Sequence, residues 1–155
     1  GAVPLETGGG ILNALPILGD APFLVINGDV WTDLDLATLP RTPAGDAHLV
    51  MVDNPAQHPR GDFILHADGR VSDDGDSARF TYAGVGVYRP AIINDWRAVI
   101  GETAGASETP PQFGLTPLLR HAMAQGRVTG QHHAGRWTDV GTPERLAQLD
   151  AELNA

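Results

Sequence analysis

Pro22-Phe23-Leu24-Val25-Ile26-Asn27-Gly28-Asp29 decides the fold. An unbroken apolar run stops abruptly at a polar turn. Runs of this length between turn signals are buried strands, commonly central ones in a parallel sheet. The pattern returns in Leu49-Val50-Met51-Val52, closed by Asp53-Asn54-Pro55. Helical patterns alternate with these strands. Gly8-Gly9-Gly10 leads into Ile11, Leu12 and Leu15 on one face, and Pro16 is expected to end or kink that helix. Thr116 reads as an N-cap with Pro117 at the first helical position, and Leu118, Leu119, Ala122 and Met123 follow. Thr142-Pro143-Glu144 caps a last helix with Leu146, Leu149 and Leu153 on one face. Residues 62–66 and 70–71 read as a hairpin about Asp68-Gly69, a pair suited to a type I′ turn. Further strands are expected at 79–82, 84–88 and 127–133, with a strand end and turn at 137–141. Residues 101–111 read as a mobile loop. Alternating strands and helices imply an α/β fold with a mostly parallel sheet.

The chain has 155 residues, the size of one domain, and no internal repeat is visible. Apolar residues make up 42%, enough for a folded core, while 19 Gly and 12 Pro imply many turns. The net charge of −9 opposes nucleic-acid binding, so no nucleic-acid partner is expected. There is no Cys, which excludes disulfides, thiolate zinc sites and thiol nucleophiles. There is no Lys either: all ten basic residues are Arg. No apolar run approaches the length of a membrane span, and the first residues do not resemble a signal peptide. The expected location is therefore cytoplasmic, with no membrane partner.

Asn27-Gly28-Asp29 falls where a buried strand ends, the edge at which open α/β sheets bind ligands. Asp29 there suits a hard cation, since Mg²⁺ takes one or two carboxylates plus phosphate oxygens and water. Asn-Gly and Gly-Asp are also ordinary turn pairs. Asp139, in Trp137-Thr138-Asp139-Val140-Gly141-Thr142, sits at a second turn before a helix, which a plain strand-to-helix turn explains equally well. Two such carboxylates would let an acidic chain bind a polyphosphate, because the metal inverts the local field. Leu5-Glu6-Thr7-Gly8-Gly9-Gly10 places backbone N–H groups at a helix start, suited to an anion or a base, or serves as a flexible lead-in. It has neither P-loop nor G-x-G-x-x-G spacing. Asp33-Leu34-Asp35 is a D-x-D, a pattern of metal-dependent glycosyltransferases and equally of a helix start. Adjacent strand residues face opposite ways, so His132 and His133 are not expected to share a metal. His48, His58, His66 and His121 are read as structural, and Trp31, Trp96 and Trp137 as packing anchors.

Residues 5–11, then 23–33, then 137–142, in that order along the chain, resemble the sugar-1-phosphate nucleotidyltransferase family. Val52-Asp53-Asn54-Pro55 and His58-Pro59-Arg60-Gly61-Asp62-Phe63 narrow the resemblance to its uridylyltransferase members. The resemblance implies a Rossmann-like nucleotidyltransferase fold. It implies that Asp29 and Asp139 hold a catalytic Mg²⁺, and that Glu6, Thr7 and Gly8 face the nucleobase. Gly61 would let a sugar approach the backbone, and Tyr82 and Gly84 would line the sugar pocket. The implied substrates are a nucleoside triphosphate and a sugar 1-phosphate. A uridylyl group would pass from UTP to the sugar phosphate (N-acetylmuramate α-1-phosphate by the narrower match), with pyrophosphate leaving, in cell-wall recycling.

The family's first strand, its Arg-bearing Gly-rich triphosphate loop and a following Lys have no counterpart in this sequence. Residues 1–155 are therefore expected to be a partial, N-terminally truncated nucleotidyltransferase domain. In the family that first strand lies beside the one ending at Asp29. Its absence would leave 23–26 as an open apolar edge, inviting self-association or pairing with a missing N-terminal half. Two alternatives stand beside this reading: an inactive or split-chain module that binds a nucleotide sugar, and a glycosyltransferase using Asp33 and Asp35.

Overall fold

The computed structural model describes residues 4–154. Its centre is β3, Ala47–Val52, where every second side chain serves a different layer. Ala47, Leu49 and Met51 are buried in the larger core, and Val50 and Val52 in a smaller one on the opposite face. Each such side chain contributes about 1.5–3 kcal/mol on removal from water. β6, Thr81–Tyr88, flanks β3 antiparallel, and β7, Val128–His132, flanks it parallel. β1, Phe23–Ile26, pairs antiparallel with the far side of β6, giving the sheet order β1-β6-β3-β7. β1, β3 and β7 thus run the same way, and β6 between two of them makes the sheet mixed.

The larger core is closed by helices: α1 (Glu6–Leu18), α2 (Trp96–Ile100) and α3 (Thr116–Ala124). Ile11, Trp96, Leu118, Leu119 and Met123 pack there against the sheet. Trp96 stacks on Phe113 with ring centroids 4.9 Å apart. The glycine cluster has a packing reason. A Cβ on Gly8 would lie 2.6 Å from the Phe113 ring, and one on Gly9 would collide with the Pro111 carbonyl. Glycine lets α1 seat directly on this segment, and the Gly9 N–H donates to the Phe113 carbonyl at 3.0 Å. The smaller core is closed by Val30, Leu34, Leu39 and Trp137, and the Trp137 indole N–H donates to the Ala83 carbonyl at 2.8 Å.

A two-stranded ribbon lies over this second face: β2, Val30–Thr32, antiparallel to β8, Trp137–Asp139. α4, Pro143–Leu153, follows, and the Thr142 hydroxyl accepts from the Arg145 N–H as its cap. β4, Ile64–Leu65, and β5, Val71–Ser72, form the expected hairpin.

Several local expectations change. β1 is an edge strand, not a central one: Leu24 is 43% exposed and Ile26 47%. Its residues that face the helices, Phe23 and Val25, are covered, whereas those on the other face are not. α1 runs through Pro16 to Leu18. Thr116 is the first residue of α3, after Leu115 as the uncapped N-cap. The hairpin turn is longer than type I′. Gly69 alone takes the left-handed conformation, at φ 85°, and the His66 N–H donates to the Arg70 carbonyl at 2.9 Å. The strands at 79–82 and 84–88 are one, because Gly84 at φ 72° absorbs an irregularity in β6. On α4 only Leu149 is buried; Leu146 and Leu153 are exposed.

Candidate active site

The carboxyl ends of β1, β3 and β7 and the start of β6 meet at one edge of the sheet. Beyond β1 the chain turns at Asn27-Gly28-Asp29 into β2. The Asn27 N–H donates to the Gly84 carbonyl at 2.8 Å, and a Cβ on Gly84 would lie 2.8 Å from the Asn27 amide nitrogen. Gly84 therefore lets this turn fold down onto β6. Val30 pairs with Asp139 across the ribbon, and the Val140 N–H donates to the Asp29 carbonyl at 2.7 Å. Residues 110 positions apart are thereby held side by side.

Both carboxylates turn toward Gly141. A Cβ built there would lie 3.3 Å from Asp29 Oδ2 and 3.5 Å from Asp139 Oδ2. The nearest atom to that position is Arg145 Nη2, at 3.1 Å, so the glycine borders a space shared by two carboxylates and one guanidinium. Asp29 is exposed, while Asp139 is half-buried and engaged. Gln57 Nε2 donates to Asp139 Oδ1 at 2.8 Å, and Arg145 Nη2 donates to Oδ2 at 2.5 Å. Among the described residues no group of three or more His, Cys, Asp or Glu side chains is placed to hold a metal. Two neighbouring carboxylates still fit a Mg²⁺ that takes its other ligands from phosphate and water, provided that Arg145 yields Asp139 Oδ2.

The other sequence candidates divide. Thr7 borders a groove of about 430 Å³ that runs along β1 to Asn27 and Gly28. Gly8 is buried beneath Phe113. Glu6 opens α1 at φ 58° and lines a separate cavity of about 200 Å³ with Val99, Thr103 and Gln112. Gly61, at φ 65°, packs where a Cβ would lie 2.5 Å from Asn54 Oδ1. Asn54 ties that loop down: its amide donates to the Arg79 carbonyl at 2.9 Å and its oxygen accepts from the Thr81 hydroxyl at 2.9 Å. Asp62 accepts from the Tyr82 N–H at 2.8 Å. The Tyr82 hydroxyl points inward to Tyr88, 2.8 Å away, and burial pushes it up to about 12. What Tyr82 can offer a ligand is therefore its backbone.

The D-x-D does not converge. Asp35 accepts from the Ala37 N–H and caps a 3-10 turn at Leu36–Thr38. Asp33 lies 2.8 Å from His133, and a backbone hydrogen bond from the neighbourhood of Arg136, with His133, holds its carboxyl below the usual range. His132 turns the other way to Asp53, at 3.0 Å. Sequence reasoning missed Gln57 and Arg145. Arg145 carries a signal in retrospect, a cation in the first turn of a helix, where acids are favoured. Gln57 carries none.

The fold is that of the nucleotidyltransferases. HddC from Yersinia pseudotuberculosis, in complex with GMP-PN, superposes with a TM-score of 0.66 at 20% identity, covering 99% of this chain and 64% of that one. A putative glucose-1-phosphate thymidylyltransferase from Bacillus anthracis superposes with a TM-score of 0.70 at 13% identity, covering 98% and 62%. By sequence the chain is a homologue of curated proteins named N-acetylmuramate alpha-1-phosphate uridylyltransferase, and the family resemblance read from the motifs holds. The one from Neisseria meningitidis serogroup B is 43% identical over 157 residues, 97% of this chain and 63% of that protein. The one from Caulobacter vibrioides is 34% identical over 161 residues, 96% and 62%. The chain thus spans somewhat under two thirds of the length of these relatives. No protein-family model matches it.

Proposed function

We propose that this chain carries the cation- and sugar-side of a uridylyltransferase site. The reaction is transfer of a uridylyl group from UTP to a sugar 1-phosphate, N-acetylmuramate α-1-phosphate by homology. The observation that carries it is the convergence of Asp29 and Asp139 beside Gly141. The homologues supply the substrates. The proposal includes Mg²⁺ dependence, a cytoplasmic location, a role in peptidoglycan recycling, and residues 1–155 as part of one nucleotidyltransferase domain. Among the described residues no helix is long and apolar enough to cross a membrane.

In this reading an oxygen of the sugar phosphate forms a bond to the α-phosphorus of UTP, and the bond to pyrophosphate breaks. A divalent cation, when bound, neutralises phosphate charge and fixes the geometry of attack. Asp29 and Asp139 would hold it, and the short β2–β8 ladder fixes their spacing, so catalysis would rest on alignment. Thr7 and the groove along β1 contact the nucleotide. The loop carrying Gly61 and the backbone at Tyr82 and Gly84 border the sugar. Glu6 and Gly8 act through the helix start they shape.

A second reading, a module that binds a UDP-sugar without turning over UTP, is favoured by the lack of any Lys to grip a triphosphate. Phosphorus NMR of the chain with UTP, N-acetylmuramate α-1-phosphate and Mg²⁺ separates the two. Pyrophosphate and UDP-sugar signals that vanish in Asp29→Asn support the enzyme. UDP-sugar binding without those signals supports the module, and the absence of both turnover and binding would refute both readings.

A further inference from the structure

The first turn of a helix exposes unpaired N–H groups and the positive end of the dipole, so a cation is unfavourable there. Arg145 is the third residue of α4 and breaks this rule. A local rule broken without packing gain marks a functional constraint. The side chain folds back on Asp139. Its Nε donates to the Asp139 carbonyl at 3.0 Å and its Nη2 to Oδ2 at 2.5 Å. The same Nη2 lies 3.1 Å from the Cβ position of Gly141, the position Asp29 Oδ2 approaches to 3.3 Å. A guanidinium nitrogen therefore sits on Asp139 Oδ2, at the border of the space beside Gly141 that a cation shared with Asp29 would take. The pair is reachable by solvent, with Arg145 31% exposed and Asp139 24%, so exchange there is inexpensive.

We propose that Arg145 is the counter-ion of the cation-free site, and that Arg145 and a divalent cation compete for Asp139 Oδ2. This rests on reading Asp29 and Asp139 as the cation pair. Arg145 is then a positioning residue: it keeps Asp139 neutralised and aimed at Gly141, and gives way when the cation is delivered. Gln57, on the other carboxylate oxygen, keeps Asp139 in place during the exchange. The bare cation binds weakly in consequence, and arrives with its phosphate ligand.

The test is a Mn²⁺ titration followed by electron paramagnetic resonance, without nucleotide, on the wild-type chain, Arg145→Gln and Arg145→Lys. Removing a positive charge next to a divalent ion should tighten Mn²⁺ binding about tenfold in Arg145→Gln. Arg145→Lys, which keeps the charge, should stay near wild type. A thermal melt checks that each variant folds, and Arg145→Ala, which keeps the Thr142 cap, replaces the Gln variant if that one melts early. Unchanged or weaker Mn²⁺ binding in a folded, charge-removed variant overturns the proposal, since a purely structural Arg145 gives that sign. Mn²⁺ binding that disappears in Asp29→Asn yet does not tighten in Arg145→Gln overturns this inference alone. No Mn²⁺ binding by any folded form overturns the carboxylate-pair reading as well.

Discussion

β1 and β3 have nearly the same sequence character and opposite circumstances. Each is an apolar run ending in a polar turn with an Asp, Asp29 after β1 and Asp53 after β3. β3 has a strand on either side and a core on both faces. Among the described residues β1 has one neighbour, and its second face leaves Leu24 and Ile26 open to solvent. The Asp residues differ in the reverse sense. Asp53 is 81% exposed and meets His132, whereas Asp29 is brought beside Asp139. An apolar run thus reports membership of a sheet, and not how many neighbours the strand has. A strand-turn-Asp motif reports the right edge, and not which Asp will find a partner. The element after the turn decides that, and β2 pairs with β8.

The sharpest way to break this comparison is to truncate both strands. Leu49→Ala should cost about 2–5 kcal/mol, the range for fully buried leucines. Leu24→Ala should cost less than about 1 kcal/mol, because less than its full area leaves water on folding. Urea denaturation measures both, and equal costs would contradict the assigned difference.

The packed side of the sheet has a second fastening. Asp73 bridges Arg79 at 2.5 Å and Arg120, on α3, at 2.6 Å, tying the chain after β5 to a helix of the larger core. Burial alone would raise the Asp73 carboxyl, but the Arg79 hydrogen bond and the Arg120 charge outweigh it and hold it below its ordinary value of 3.8. A carboxyl lowered by folding adds stability above its unfolded value, and the contribution disappears as pH falls through the lower, folded one. Asp73→Asn should therefore cost about 1–2 kcal/mol near pH 7. That gap should start to close as pH falls through 3.8 and vanish only below the lower, folded value, which denaturation at pH 7 and at a series of pH values below 3.8 will show.

A subtler effect concerns the open edge. Among the described residues β1 is an edge strand carrying the exposed Leu24 and Ile26, and Ile17 is 89% exposed on the helix beside it. Such an edge pairs readily with another chain. The chain is expected to self-associate, and Leu24→Lys to reduce this with little change in melting temperature. A monodisperse wild-type monomer in sedimentation would contradict the expectation.

Much of this was legible in the sequence. The strand-turn-Asp runs, the Thr142 cap and the opposite facing of His132 and His133 follow from local chemistry and are found. The edge position of β1 was not legible from its apolar run, because that depends on what lies beside it in space. The glycine cluster read as a ligand contact proves to include a packing surface, since the partner Phe113 lies about a hundred residues away. Gln57 was overlooked for the same reason, whereas Arg145 carried a local sign, a cation in a first helical turn, that does not by itself name Asp139 as its partner.

The central claim is that Asp29 and Asp139 act together on one cation and its nucleotide sugar. Calorimetric titration of UDP-N-acetylmuramate into the chain, with and without Mg²⁺, tests it directly. The account predicts Mg²⁺-dependent binding that is lost in Asp29→Asn and in Asp139→Asn alike. Binding that persists without Mg²⁺, or that survives either substitution unchanged, would contradict it.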